Sequence, residues 1–169
     1  MVVADRPLSS ARYADRDPRL EGLWRTDDGK YFYVVYGPGA HASILSFGRD
    51  KKGIDTGSWD IFVTRTPKHT YLNITARDRI AREQMRFGRA KGYAFAEYHF
   101  SWFGELSVSP VGGDAFSKAV EQKKLHGKNE FLTTTISREN PERIIALIEN
   151  SKSKDVFIGT SRARKIGKP

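Results

Sequence analysis

The chain has 169 residues, 38% apolar and 12% aromatic, which suits one domain of ordinary size with one core. It contains no cysteine, so disulfides, thiolate metal sites and cysteine nucleophiles are excluded; it has no run of about 18 apolar residues, so no helix can span a membrane. The net charge of +9 is concentrated: residues 77–91 hold six Lys or Arg against two acids, and residues 151–169 hold six against one. Charge gathered in this way points to an anionic partner (a nucleic acid, a lipid headgroup or an acidic protein face) or, with equal weight, to a solvated loop and a solubilising tail.

In chain order, residues 1–19 are polar and Pro-containing and read as an extended leader without an apolar signal core. From Leu20 the texture is β. KYFYVVY (30–36) is aromatic and β-branched and is broken by GPGA (37–40). HASILSF (41–47) follows, ending in the turn GRDKKG. SWDIFVTRT (58–66) puts Trp59, Ile61 and Val63 on one face, and TYLNITA (70–76) does the same with Leu72, Ile74 and Ala76. Short loops between such segments predict an antiparallel meander. The basic loop 77–91 leads into KGYAFAEYHF (91–100). There Ala94, Ala96, Tyr98, Phe100 and Trp102 alternate with Tyr93, Phe95, Glu97 and His99, and GELSVSPV (104–111) is the expected hairpin partner. A helix is predicted over 114–126, with Asp114 as cap and Gly127 as stop, and FLTTTIS (131–137) as a strand. Asn140-Pro141 opens a second helix near 140–150, with Ile144, Ile145, Leu147 and Ile148 as its buried stripe. DVFIGTS (155–161) reads as the last strand, and RARKIGKP as a basic tail.

Residues 91–98 match the RNA-stacking signature K/R-G-F/Y-G/A-F-V-x-F/Y except at Ala96, and Ile61-Phe62-Val63 stands where a partner strand is needed. Lys91 would meet a phosphate, and Tyr93 and Phe95 would stack bases. The order of elements opposes this: residues 70–76 alternate at period two where an RNA-recognition fold requires a crossover helix. An RNA-binding protein is therefore the second reading. The first is a mainly β protein. It is an antiparallel up-and-down barrel of about eight strands over residues 20–160, with two accessory helices and a basic tail at 161–169.

Gly22-Leu23-Trp24 resembles the Gly-x-Trp motif of lipocalins and related calycins, in which the Trp plugs one barrel end. The order of elements over roughly 20–165 is similar to that of bacterial lipocalin-like proteins, many of them lipoproteins. The resemblance rests on Tyr71-Leu72-Asn73-Ile74, the pair YHFSWFGELSVSPV, the helix DAFSKAVEQKKLHG, the helix NPERIIALIEN and Asp155-Val156-Phe157. The second lipocalin motif, Thr-Asp-Tyr, is absent. The resemblance implies a barrel holding a small apolar ligand, a periplasmic or membrane-associated location, and an Arg near the last strand packed on the Trp, here Arg162 or Arg164.

Catalytic patterns are missing. His41, His69, His99 and His126 are far apart and predict no metal site; Glu97 and His99 are expected as a polar pair inside the barrel. Asn73-Ile74-Thr75 is a glycosylation sequon, and Ser151 to Lys154 satisfies S-x-x-K within a polar linker. The expectation is a non-enzymatic binding or docking module without a cofactor. Trp24, Tyr33, Phe95, Tyr98 and Trp102 are the candidate lining of the interior. Arg77, Arg79, Arg82, Arg86, Arg89, Lys91, Arg162, Arg164 and Lys165 are the candidate patch for an acidic partner, with nucleic acid behind it.

Overall fold

The computed structural model of the chain describes residues 1–10, 12, 14–50, 53–79, 81, 92–130 and 133–167. Among the described residues, eleven strands form one branched sheet. They are β1 (Val2–Ala4), β2 (Gly22–Thr26), β3 (Tyr31–Tyr36), β4 (Ala42–Asp50), β5 (Gly53–Arg65), β6 (Thr70–Ala76), β7 (Tyr93–Phe100), β8 (Leu106–Pro110), β9 (Gly127–Glu130), β10 (Thr133–Ile136) and β11 (Ser161–Lys165). A 3-10 turn at Pro18–Leu20 precedes β2, and three helices lie between β8 and β11: α1 (Asp114–Glu121), α2 (Pro141–Asn150) and α3 (Ser153–Val156).

Strands β2 to β8 pair in sequence, each antiparallel to the last. β11 closes the ring by pairing with both β8 and β2, as in Ala163 opposite Leu106 and Thr26. The result is a closed, eight-stranded antiparallel barrel, as the alternating segments predict. Closure leaves no edge among these strands for another chain to extend. β1 branches off where β8 ends. It pairs antiparallel with the start of β7 (Val3 opposite Ala94) and parallel with β10, which carries β9 as an outer edge.

Alternation sorts side chains into two cores. Inside the barrel lie Trp24, Val34, Ile61, Val63, Leu72 and Tyr98. Outside the β6–β7 wall lies a second core, in which Tyr71 and Phe95 are covered by β1 and by Phe116 of α1 and Ile144 and Ile148 of α2. α2 starts as its sequence dictates: the Asn140 side chain accepts from the Glu142 backbone N–H at 3.3 Å, and Pro141 stands in the first turn. α1 differs from expectation. Asp114 is its first residue rather than its cap; Gly113, at φ 78, holds the cap position with no side-chain bond, and the helix ends at Glu121, six residues before Gly127.

Three further readings are corrected. Residues 155–161 are not the last strand: Val156 ends α3, and the closing strand is 161–165, within the segment read as a tail. Residues 1–19 are not a loose leader: Val2, Val3 and Ala4 are buried in β1, and the Leu8 N–H donates to the buried Asn73 Oδ1 at 2.7 Å. β4 also runs beyond Phe47 into Gly48, Arg49 and Asp50, and its ladder with β5 reaches Asp50 opposite Gly53. Gly92 permits the β1 branch, since a Cβ there would stand 2.2 Å from the Ala4 carbonyl oxygen. The glycine of KGYAF thus serves close strand approach.

Candidate functional site: the barrel interior

One end of the barrel is sealed by the turn that leads into β2. The Asp17 carboxylate caps this turn, accepting from the Arg19 N–H at 3.2 Å and from the Arg19 guanidinium at 2.7 and 2.9 Å. It also accepts from the Tyr98 hydroxyl at 2.9 Å, and the Arg65 guanidinium lies 3.4 Å away. The Tyr36 hydroxyl donates to the Asp17 carbonyl and accepts from the Asp17 N–H, both at 3.1 Å. Asp17 is 1% exposed. Burial pushes its carboxyl up, but the Arg19 and Tyr98 hydrogen bonds and the Arg19 charge outweigh this and hold it at about 2. Burial and the adjoining carboxylate push the Tyr98 hydroxyl well above its usual range, so it stays a donor.

Trp24 forms the floor. Its indole N–H donates to the Leu20 carbonyl at 2.8 Å, and its ring packs against Phe32 and Phe100. The cation over this ring is Lys165, whose Nζ lies 5.5 Å from the ring centroid and donates to the Arg19 carbonyl at 3.3 Å. It is neither Arg162 nor Arg164. Those two alternate to the outer face and meet Glu105, at 3.9 and 3.1 Å. Gly22 makes this packing possible: it sits at φ 122, and a Cβ on it would stand 2.8 Å from the Lys165 Cε. The Gly-x-Trp spacing therefore has a local physical cause.

Above this floor the barrel is hollow. A cavity of about 260 Å³ rises from Leu20 between the inward side chains Val34, Ile61, Leu72 and Leu106 toward the end where β2 meets β3. At that end Thr26, Ser46, Trp59 and Ser161 line it, and inward-facing Phe32, Ile44, Ile74 and Val108 are only half-buried, so solvent reaches the interior there. Trp59 is itself buried, and its indole N–H has no hydrogen-bond partner among the described residues.

Of the five candidate lining residues, the structure places two inside. Trp24 and Tyr98 belong to the interior core as floor and seal. Tyr33 is on the opposite parity of β3 from Phe32 and Val34 and faces solvent, 41% exposed. Phe95 also faces outward, but under the helices, where it is 1% exposed. It has no free face for a base, and its neighbour Tyr93 packs edge-on against Phe62. Trp102 is past the end of β7, in the β7–β8 turn, and is 95% exposed. Parity alone leaves the two faces of a strand undecided when both are apolar, so the sequence does not single out Phe32, Ile44, Ile74 and Val108 as the inward set.

The basic patch is divided. Arg162, Arg164 and Lys165 are on β11 and hold the contacts given above. Arg77 bonds Asp60 at 3.0 Å, and Arg79 also has an interaction. Arg82, Arg86, Arg89 and Lys91 lie outside the described residues. Glu97 does not pair with His99 inside the barrel: it faces outward and hydrogen-bonds the His69 imidazole. Asn73 is wholly buried. Its amide donates to the Phe62 carbonyl and the Thr64 hydroxyl, so the sequon has no reachable acceptor. Among the described residues no group of His, Asp and Glu is placed to hold a metal ion, and no helix is long and apolar enough to cross a membrane.

No protein-family model, no curated protein and no solved structure matches this chain.

Proposed function

We propose that the protein is a non-enzymatic, lipocalin-like carrier that holds a small apolar molecule in its barrel. The observation that carries this reading is the cavity of about 260 Å³, walled largely by apolar side chains, with Leu20 at its base, and accessible from one end. A close-packed interior has few voids larger than a water molecule, so a space of this size needs an occupant or a reason. It is just below the roughly 300–1,000 Å³ of sites for drug-sized ligands, which favours a smaller guest. The lining offers the interior almost nothing but apolar atoms, and the Thr26 hydroxyl is already taken by Asp28 and Lys30, which supports a guest with an apolar body.

The lipocalin resemblance gains support from Gly22, Trp24 and Lys165, which reproduce a glycine-permitted cation over a barrel-plugging indole. Use of the whole basic patch for one acidic partner has less support, because Arg77 is paired with Asp60 on β5 while Arg162 and Arg164 share Glu105 on another part of the wall.

The test is titration with anilinonaphthalenesulfonate, an apolar dye with one charged group, against the native protein and Val108→Trp. Val108 faces the cavity and is half-buried, so the larger ring fills the space without overpacking a closed core. The dye is expected to bind the native protein, and the variant to bind it at least about tenfold more weakly, the loss of roughly 1.4 kcal/mol of apolar contact. Equal binding to both proteins contradicts the proposal.

A further inference from the structure

The β7–β8 turn carries the most exposed aromatic pair among the described residues. Trp102 is 95% exposed and Phe103 60%, and their rings meet edge-to-face with centroids 5.5 Å apart. Neither belongs to a core cluster. The turn beneath them is firmly built: the Ser101 N–H donates to the Glu105 carbonyl at 2.9 Å, the Gly104 N–H to the Ser101 carbonyl at 3.0 Å, and the Glu105 N–H to the Ser101 Oγ at 3.0 Å. Two large rings are thus held in water on a rigid, convex tip, where a soluble surface gains nothing from them.

Cations surround the base of this tip. The Arg19 guanidinium lies 4.6 Å from the Phe100 ring centroid, at one foot of the hairpin. Arg162 and Arg164 reach Glu105 at the other foot, and Lys165 lies beside Arg19. The carboxylates they meet, Asp17 and Glu105, are largely buried while Arg162 and Arg164 are well exposed, and the more exposed Glu21 nearby is met by Arg16. The sealed end of the barrel therefore presents an aromatic tip set in net positive charge. An indole and a phenyl ring partition into the headgroup zone of a bilayer, and lysine and arginine at that level are drawn to anionic lipid.

We infer that the Trp102–Phe103 hairpin tip is a docking site for an anionic lipid bilayer, with the rings inserted among the headgroups and the surrounding cations held at the surface. A convex tip fits a soft, deformable surface, whereas a protein partner would need a pocket shaped to receive it. In this pose the open mouth of the barrel, at the opposite end, points away from the membrane. The inference is independent of what the cavity holds.

Co-sedimentation with vesicles of phosphatidylcholine and phosphatidylglycerol tests it, beside vesicles of phosphatidylcholine alone. Trp24 and Trp59 are buried, so a change in indole emission on binding reports Trp102. The native protein is expected to bind the mixed vesicles with a shift of emission to shorter wavelength, and to bind less in high salt or without phosphatidylglycerol. Trp102→Ala with Phe103→Ala is expected to lower partitioning by roughly tenfold per ring while the thermal midpoint stays near that of the native protein, because the rings pack on nothing buried. Absence of binding to the mixed vesicles, binding with unchanged emission, or equal binding by the double variant would each overturn it.

Discussion

Asp17 shows how one residue can decide whether a barrel end is closed. Its carboxylate joins the 3-10 turn, β5 and β7 through Arg19, Arg65 and Tyr98, and its backbone is clasped by Tyr36 of β3. Arg19 and Arg65 are about half exposed and stay solvated when the charge is removed, so the cost is that of weakening the charged hydrogen bonds to a buried carboxylate, about 2 kcal/mol. Asp17→Asn should therefore lower stability by about that amount in urea denaturation at neutral pH. The pH dependence has a definite sign. The folded carboxyl is held at about 2, below the roughly 3.9 of a free aspartate, so its contribution is complete above about pH 4 and is lost as pH falls toward 2. The difference between native protein and variant should shrink over that window; a difference that persists unchanged at pH 2 would show that the charge is not responsible. Trp24 was legible from the sequence because its motif is short and rigid. Its cation was not, because only the strand parity set by inward Ala163 tells that Lys165 and not Arg162 or Arg164 shares the Trp24 face.

β11 matters more than its composition suggests. It is the one strand that pairs with both β8 and β2, so it holds the ring shut. Deleting residues 161–169 should expose the edges of β2 and β8 and abolish cooperative unfolding and the near-ultraviolet circular dichroism of the packed aromatics. Retention of both signals would show that the barrel survives without its closing strand. The contrast with β6 explains what the sequence could reveal. TYLNITA alternates cleanly between a turn at Pro67 and a run of charge, and the strand runs from Thr70 to Ala76 as expected. SRARK has one inward apolar residue, Ala163, between outward Arg162 and Arg164 and with the polar Lys165 on its own face, so its alternation is hidden and it reads as a tail. β9, with the sequence GKNE, has no apolar side chain at all and forms only as an edge against β10. β1 is three residues long, too short for a period to show.

At the scale of the whole molecule, β6 and β7 form a wall buried on both sides. Leu72, Ala96 and Tyr98 face the hollow barrel, while Tyr71 and Phe95 face a solid core under α1 and α2. Closure was readable from successive alternating segments with short turns. The cavity was not, because its volume depends on which of two apolar faces turns inward and on how the 50 residues between β8 and β11 pack against the outside. If the barrel is a carrier, as proposed, the first of these cores accepts a guest and the second does not. Methyl chemical-shift mapping during titration with decanoate separates the two. Shifts are expected at Ile44, Ile61, Leu72, Ile74 and Leu106, with Ile136, Ile144 and Ile148 unmoved. Silence in the first group, or shifts confined to the second, would contradict the proposal.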